Sequence, residues 1–437
     1  MNWFQINCLT LLQKLFACGF MVLMTGAFQS LLIDVNDPNA IDLATGLPVF
    51  QYVSAAAYLI TALLCITYFK QIKALIWPLM TLTLLMLLLW ASTAWSLYPD
   101  ITLRRATGAT GTTLFGIWLA CRFKPMDILR LVAWAIGFTA VVSLLVVVFM
   151  PSLGVHQPGD LHMGYWRGVF IHKNIMGRWM CLGILAFGWL WYLNPRRSFL
   201  VTLGLVACTI GLIGAGSRTA WFTTILFLAI PMTMFYLRQH WTLLLFSTTA
   251  TVPVAILGLL LLWANLDDIF AAFGRDMTLT GRTTLWVMSW PYILQEPWLG
   301  HGFRVFWLTQ NESAWIIWSI IEWDPASAHN SFIDLALDLG FVGLGLFLLN
   351  VTLVTRWLIM QYRQGDRLAA WHMTFLFYLF VQSVAQTVIL SPNTLQWVLY
   401  VTIAVFACRY KKPALAKQPL PALTETAAPR AETVCVR

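Results

Sequence analysis

The sequence predicts an all-α chain that crosses a membrane about twelve times and carries one long outer loop with short helices of its own. Three observations predict it. Only 10% of the 437 residues are charged and 59% are hydrophobic, against roughly 25% charged in an ordinary soluble domain, so most of the surface faces something other than water. The apolar residues gather in runs of about 20, the length a helix needs to cross ~30 Å of hydrocarbon. The 23 Trp, 28 Phe and 12 Tyr suit a chain with two membrane interfaces. Soluble, disordered and disulfide-rich secreted classes are excluded, since the eight cysteines lie in apolar runs or near basic loops.

Twelve spans are expected, at 14–33, 50–69, 74–95, 103–121, 127–149, 175–193, 198–215, 219–237, 241–264, 331–354, 370–390 and 394–408. The first has only Lys14 before its apolar stretch and no small-residue cleavage site, which reads as a retained span. Four segments follow: spans 1 to 9 in 1–264, a cap loop at 265–330, spans 10 to 12 in 331–410, and a tail at 411–437 too poor in apolar pattern to pack, expected to be disordered and cytoplasmic. With both termini inside, 18 of the 27 Lys and Arg fall on inner segments, and the outer loop at 34–49 holds Asp34, Asp37 and Asp42 with no basic residue. The formal charge of +9 is thus mostly a topology signal and needs no nucleic-acid partner.

The nine basic residues left outside cluster. Arg104 and Arg105 open span 4; Arg167, Lys173 and Arg178 surround the start of span 6; Arg218 opens span 8; Arg275, Arg282 and Arg304 lie in the long loop before span 10. Each of these spans starts at the outer face, where a helix N-terminus already favours anions. If the four helices are neighbours, they build an electropositive outer pocket; the alternative is that each arginine snorkels to lipid headgroups.

Short strings place polar groups at that interface. In GVFIHKNIMG, two glycines bracket His172, Lys173 and Asn174 just before an apolar run, as in a bent approach to a helix. In GAGSRTA, Ser217 can cap the helix that Arg218 begins. In AHNSFID, Asn330 or Ser331 can cap span 10, Asp334 sits where a capping-box acid would, and His329 stands just outside, with Asp338 one turn deeper.

The loop at 265–330 holds seven Trp in 66 residues, against sixteen in the other 371. Trp286, Trp290 and Ile293 fall at helical spacing, although Pro291 should kink or end that helix. Indole faces can stack on sugar rings, which makes Trp286 a candidate binding residue. An interfacial aromatic belt is the other reading.

The strings GVFIHKNIMG, SRTAW, GRTTLW, WLGHGF and AHNSFIDLALDLGFVG, in that order along such a chain, resemble the O-antigen ligase and polymerase superfamily, with the specific motifs between about 160 and 350. The resemblance implies a metal-independent inverting glycosyltransferase of the bacterial inner membrane with a periplasmic active site. It would take glycan from undecaprenyl diphosphate and place it on an acceptor hydroxyl, either of another lipid-linked repeat unit (polymerase) or of the lipid A core (ligase). It implies no cofactor or metal, and leaves room for polysaccharide assembly and export proteins as partners beside the membrane lipids. Its two characteristic arginines match Arg218 and Arg282, and its loop histidine matches His329. The HKN string at 172–174 looks more like exopolysaccharide polymerases.

Resemblance and charge pattern meet in one expectation. Arginine forks suit a diphosphate. Arg218 and Arg282, helped by Lys173, would stabilise the charge that grows on the leaving diphosphate. His329 is the candidate general base, with His301 the next; His156, His162 and His172 rank lower, and His240 and His372 lie at the wrong face or in a span. A carrier for lipid-linked oligosaccharide is the rival reading, which would call for mid-membrane charges and broken helices in repeated halves. A scaffold that holds the lipid without reacting is another.

Overall fold

The computed structural model describes residues 3–32, 48–160, 162–193, 198–225, 282–321 and 323–409. These residues form an all-α, multi-pass membrane protein, with no strand among them beyond a single bridge between Val155 and Trp166. The helices are α1 (Trp3–Met24), α2 (Pro48–Ile66), α3 (Phe69–Lys73), α4 (Met80–Ala91), α5 (Pro99–Arg122), α6 (Pro125–Phe149), α7 (Pro151–Gly154), α8 (Lys173–Leu193) and α9 (Phe199–Ala215). After a helical start at 218–225 come α10 (Arg282–Gln295), α11 (Glu312–Ile321), α12 (Ser331–Arg363), α13 (Arg367–Ala385) and α14 (Leu395–Arg409). Five of them, α2, α6, α8, α12 and α13, are long and apolar enough to cross a bilayer, and five shorter apolar helices accompany them. The expected span at 241–264, the rest of 219–237, Arg275, His240 and the 411–437 tail lie outside the described residues.

Most expected spans fall within a few residues of a helix, and three differ for local reasons. The first starts at Trp3, because one lysine at position 14 does not break an apolar run. The third is shortened to Met80–Ala91 because Pro78 cannot donate within a helix, and residues 74–79 form turns instead. The tenth runs from Ser331 to Arg363 but is broken at Gly340, where φ is 62° and ψ is −168°.

Pro99 and Pro125 open α5 and α6 with Asp100 and Asp127 in their first turns, and Arg122, Arg363 and Arg409 close α5, α12 and α14. Acid at N-termini and base at C-termini both suit the helix dipole. The C-terminal arginines also mark one end of the bundle: Arg122 bonds Thr10 and Gln13 of α1, and Arg409 bonds the Ala120 carbonyl and Cys121.

At the core, α14 is buried almost throughout and packs along α5. Gly116 allows this approach, since a Cβ there would stand 2.7 Å from the Val398 carbonyl oxygen. Trp397 donates to Thr113 and Thr402 to the Gly116 carbonyl across the same seam. A second apolar core, built from Leu285, Ile293, Phe306, Ala314, Ile317 and Leu337 among others, unites α10, α11 and the first turns of α12. The described part of the long loop is therefore a packed cap on the other end of the bundle. Pro291 does not end α10, which continues to Gln295. The carbonyl that Pro291 leaves unpaired belongs to Val287, which is on the exposed side of the helix.

Candidate functional site

The cap is stitched to α12 by the strings WLGHGF and DLGFVG. The break at Gly340 releases backbone groups on both sides, and residues 297–302 collect them. His301 N–H donates to the Leu337 carbonyl (2.8 Å), Gly302 N–H to Asp338 (3.1 Å), Phe341 N–H to Pro297 (2.7 Å) and Val342 N–H to Trp298 (3.2 Å). Every freed backbone group inside a membrane protein needs such a partner. The stub Ser331–Leu339 is thereby set off from the span below it, and it carries the polar residues of AHNSFID.

Asn330 is the cap of that stub, its side-chain oxygen accepting from Phe332 N–H at 3.0 Å and Ile333 N–H at 3.4 Å. With Asn330 as cap, Asp334 falls one residue beyond the capping-box position. It does something else: its carboxylate accepts from Ala328 N–H and Trp307 Nε1, each at 2.9 Å, and from the Thr387 hydroxyl. Ser331 donates to the Gln386 carbonyl and accepts from Val388 N–H. Trp286 donates to the Ala328 carbonyl at 2.8 Å, so its indole N–H anchors the loop at 328. These bonds fix His329, whose φ of 50° is in the left-handed region and whose ring stacks on Trp323 at 5.6 Å. Such a conformation in a non-glycine residue persists only when its surroundings hold it, and it is common at functional sites.

Burial, and then the neighbouring Arg282 charge, push the His329 pKa down to about 4. The imidazole is neutral at ordinary pH. Arg282, at the start of α10, donates to the Ala385 carbonyl at 3.1 Å. Together with Asn174 and Arg178 of α8, Ser217, and Gln382 and Gln386 at the end of α13, it lines a small cavity of about 30 Å³. The Nε of Arg178 is buried without a hydrogen-bond partner. Two guanidinium groups, with amides and a hydroxyl around them, make this small cavity basic. Gly177 lets α8 come this close to Ser217, since a Cβ there would meet the serine Cβ at 2.8 Å. Arg218, the next residue, is exposed and does not line the cavity.

A second cavity, of about 900 Å³, lies between α2, α5 and the cap. Arg104, Arg105 and Arg304 line it with Asp334, Asp338, Trp307 and Ser327. Arg105 donates to the Arg304 carbonyl, and Arg304 to the Ser391 hydroxyl at 2.8 Å. Of the basic residues gathered by the sequence, Arg104, Arg105 and Arg304 therefore line the large cavity and Arg178 and Arg282 the small one. The segment 385–393, between α13 and α14, stands between the cavities: Ala385 and Gln386 face the small one, Pro392 and Asn393 the large one.

Lys173 and His172 lead elsewhere. The Lys173 ammonium sits 3.7 Å over the Tyr165 ring, and its backbone N–H donates to His156 Nε2. His172 accepts from Asn174 N–H through Nδ1, and its ring makes edge contacts with His156 (5.4 Å) and His162 (4.9 Å). Burial and these neighbours lower the His172 pKa to about 4. Gly168, at φ 58°, makes the bend that precedes α8. Arg167 turns back to the Leu153 and Ser152 carbonyls and is a structural residue. His301 Nε2 bonds the Tyr292 carbonyl, which ties it to the cap. Arg178, Gln382, Gln386 and the 385–393 segment were not singled out as site residues by sequence reasoning. Of these only Arg178 carried a signal, as an external cation one helical turn below Asn174.

Residues 203–348 match the O-antigen ligase family. The match covers about a third of the chain. The matched stretch includes Ser217, Arg218, Arg282, Trp286, Arg304, His329, Asn330 and both halves of the Gly340 stitch, whereas Arg104, Arg105, His172, Lys173 and Asn174 lie before it. The exopolysaccharide production protein ExoQ of Rhizobium meliloti (strain 1021) is 28% identical over 273 residues, which is 60% of this chain and 60% of the length of that protein.

Proposed function

We propose that the protein is an inverting glycosyltransferase of the bacterial inner membrane, which takes glycan from a polyprenyl-diphosphate carrier and joins it to an acceptor hydroxyl, polymerising exopolysaccharide or O-antigen repeat units. The observation that carries the reading is the neutral, backbone-fixed His329 near Arg282, which lines the small cavity with Arg178, within the stretch similar to the ligase family that also includes Arg218. The cap end faces the periplasm and both chain ends face the cytoplasm, in keeping with the Lys and Arg distribution.

In the proposed reaction the acceptor hydroxyl attacks C1 of the donor sugar from the face opposite the diphosphate. The bond from C1 to the diphosphate oxygen breaks, the hydroxyl proton passes to His329, and the polyprenyl diphosphate leaves. Negative charge grows on the leaving group, so arginines placed there act mainly on the transition state. A donor diphosphate near Arg282 offsets the cation that depresses His329, and so raises its basicity when substrate is bound.

The ligase-family match keeps lipid A core in view as the acceptor, and offering purified protein both acceptors separates ligase from polymerase. The broken helix is the one feature a carrier would share, but its freed amides and carbonyls are taken up by residues 297–302, which leaves no backbone site there for cargo. The test uses the full chain in vesicles with a polyprenyl-diphosphate-linked glycan. Release of polyprenyl diphosphate with lengthened glycan supports the reading. Intact donor moved across the bilayer, or donor bound and never cleaved, overturns it.

A further inference from the structure

The large cavity has the form of a site for an amphiphile. Its polar end holds Arg104, Arg105 and Arg304. From there it descends between α2 and α5 to Ala62 and Leu114, about 15 Å along α5 at 1.5 Å per residue. The descending walls are small: Ser54, Ala55 and Ala62 on α2 face Gly108 and Gly111 on α5. Tyr58 closes the back wall, held by hydroxyl bonds to Thr112 and Asn393. Helix α2 packs less than the other long helices, 22% of its apolar window being buried against 72% for α8, so the groove flanks a helix whose surface is mostly left to lipid.

The charge at the polar end favours an anion. Three arginines stand against two carboxylates, and the carboxylates are committed. Asp334 holds Ala328, Trp307 and Thr387, and Asp338 lies beside the Arg304 and Arg105 charges. Both acids are buried, whereas Arg104 is exposed at the mouth. Arg105 and Arg304 are pre-oriented by bonds to protein oxygens, which lowers the entropy lost on binding.

We propose that this cavity is a second site for a polyprenyl phosphate or diphosphate, and that it holds the lipid-linked acceptor while the donor occupies the Arg282 site. The proposal rests on the transferase reading above. The acceptor phosphate lies on Arg104 and Arg105, its hydrocarbon tail follows the α2 and α5 groove, and its saccharide rises toward the 326–329 loop. Ser327 faces this cavity, and two residues later His329 stands by Arg282. On transfer the acceptor hydroxyl oxygen bonds to donor C1, its proton goes to His329, and the donor lipid diphosphate departs. The acceptor keeps its own carrier, so the lengthened glycan stays anchored at Arg104 and Arg105.

The experiment is native mass spectrometry of the full chain with undecaprenyl phosphate and undecaprenyl diphosphate, with phosphatidylglycerol as competitor. Two bound copies are expected for the wild type. The double variant Arg104→Ala/Arg105→Ala, and separately Ala55→Phe, which narrows the groove without touching charge, should weaken one copy at least tenfold. Arg282→Ala should weaken the other. A single saturating copy, loss of the same copy in all three variants, or displacement of the second copy by equimolar phosphatidylglycerol would overturn the proposal. Ala55→Phe should also still cleave donor when a soluble saccharide replaces the lipid-linked acceptor, and loss of that cleavage would count against the assignment. Two bound copies with no glycan transfer by the wild type would uphold the second lipid site and remove the transferase reading instead.

Discussion

Replacing Gly340 with alanine tests whether the break in α12 organises the site. The backbone there, at φ 62° and ψ −168°, lies in a region that only glycine populates freely, and a side chain forced into it costs about 1–3 kcal/mol. The new Cβ would also stand 2.3 Å from the Trp298 carbonyl carbon and oxygen. Relief requires residues 297–302 to retreat by roughly 1 Å to reach ordinary contact. That retreat stretches the four backbone bonds of 2.7 to 3.2 Å which join the loop to α12, at about 1 kcal/mol each. The combined loss is about 5 kcal/mol, concentrated on one stitch.

Gly345→Ala is the matched control, because a Cβ there meets nothing within 4 Å in the same helix. Hydrogen exchange of the His301, Gly302, Phe341 and Val342 amides should accelerate at least a hundredfold in Gly340→Ala and stay unchanged in Gly345→Ala. The thermal midpoint should fall only in the first, and glycan transfer should fall with it, since the stub that carries Asn330, Ser331 and Asp334 loses its fixed angle. If the two variants prove indistinguishable in exchange and turnover, the reasoning from the stitch to the site is wrong.

Arg282→Ala should lower donor cleavage by about a hundredfold, the order seen when one charge-stabilising donor is lost, and Arg282→Lys should recover only part of it because the fork is gone; near-normal product from Arg282→Ala removes the arginine clamp. Asp334→Ala strands the Ala328 and Trp307 N–H groups and the Thr387 hydroxyl, each worth about 1–3 kcal/mol when buried unpaired, so amides 326–330 should exchange faster and kcat should drop while donor affinity holds. His172 has a folded pKa of about 4, below the unfolded value of about 6.5. Its contribution is therefore intact above pH 6.5 and is lost at about 1.4 kcal/mol per unit as pH falls toward 4, which exchange of the 155–172 segment at pH 7 and pH 5 would detect and His172→Gln would flatten. His329 should stay neutral down to about pH 4 in the free protein and take up a proton more readily once diphosphate is bound. By linkage, diphosphate affinity should rise as pH falls from 7 to 5, and a His329→Ala variant that keeps the same slope would show that another group is responsible.

The helices were legible because hydrocarbon imposes length and apolarity on each span, and Pro78 and Gly340 account for the main departures. Asn330 as a cap and Gly168 as a bend were legible for the same kind of reason, being local backbone chemistry. The role of Asp334 was not, because its partners Trp307, Ala328 and Thr387 lie 27 residues before, six before and 53 after it. Trp286 was read as a face for sugar, but nothing in a single sequence says that its N–H is needed at the Ala328 carbonyl. The division of the arginines into two groups depends on which helices touch, and on the uncharged segment 385–393 that separates them. That segment contains no ionisable group to draw attention to it.

Two cavities suit a reaction between two anionic lipids better than one would. Unit charges of the same sign about 10 Å apart repel by roughly 1.7 kcal/mol at an effective dielectric of 20, and a pair of diphosphates multiplies that several times over. In the proposed reaction, separate arginine sets, Arg104 with Arg105 and Arg282 with Arg178, would offset each headgroup. The partition must still let a hydroxyl reach C1. Ser327, which lines the large cavity, and His329, which feels the Arg282 charge, are two residues apart and so at most about 7 Å between Cα atoms. That distance is on the scale of one sugar ring, so a terminal sugar held against Ser327 would bring its hydroxyl to the imidazole while the two carriers stay apart.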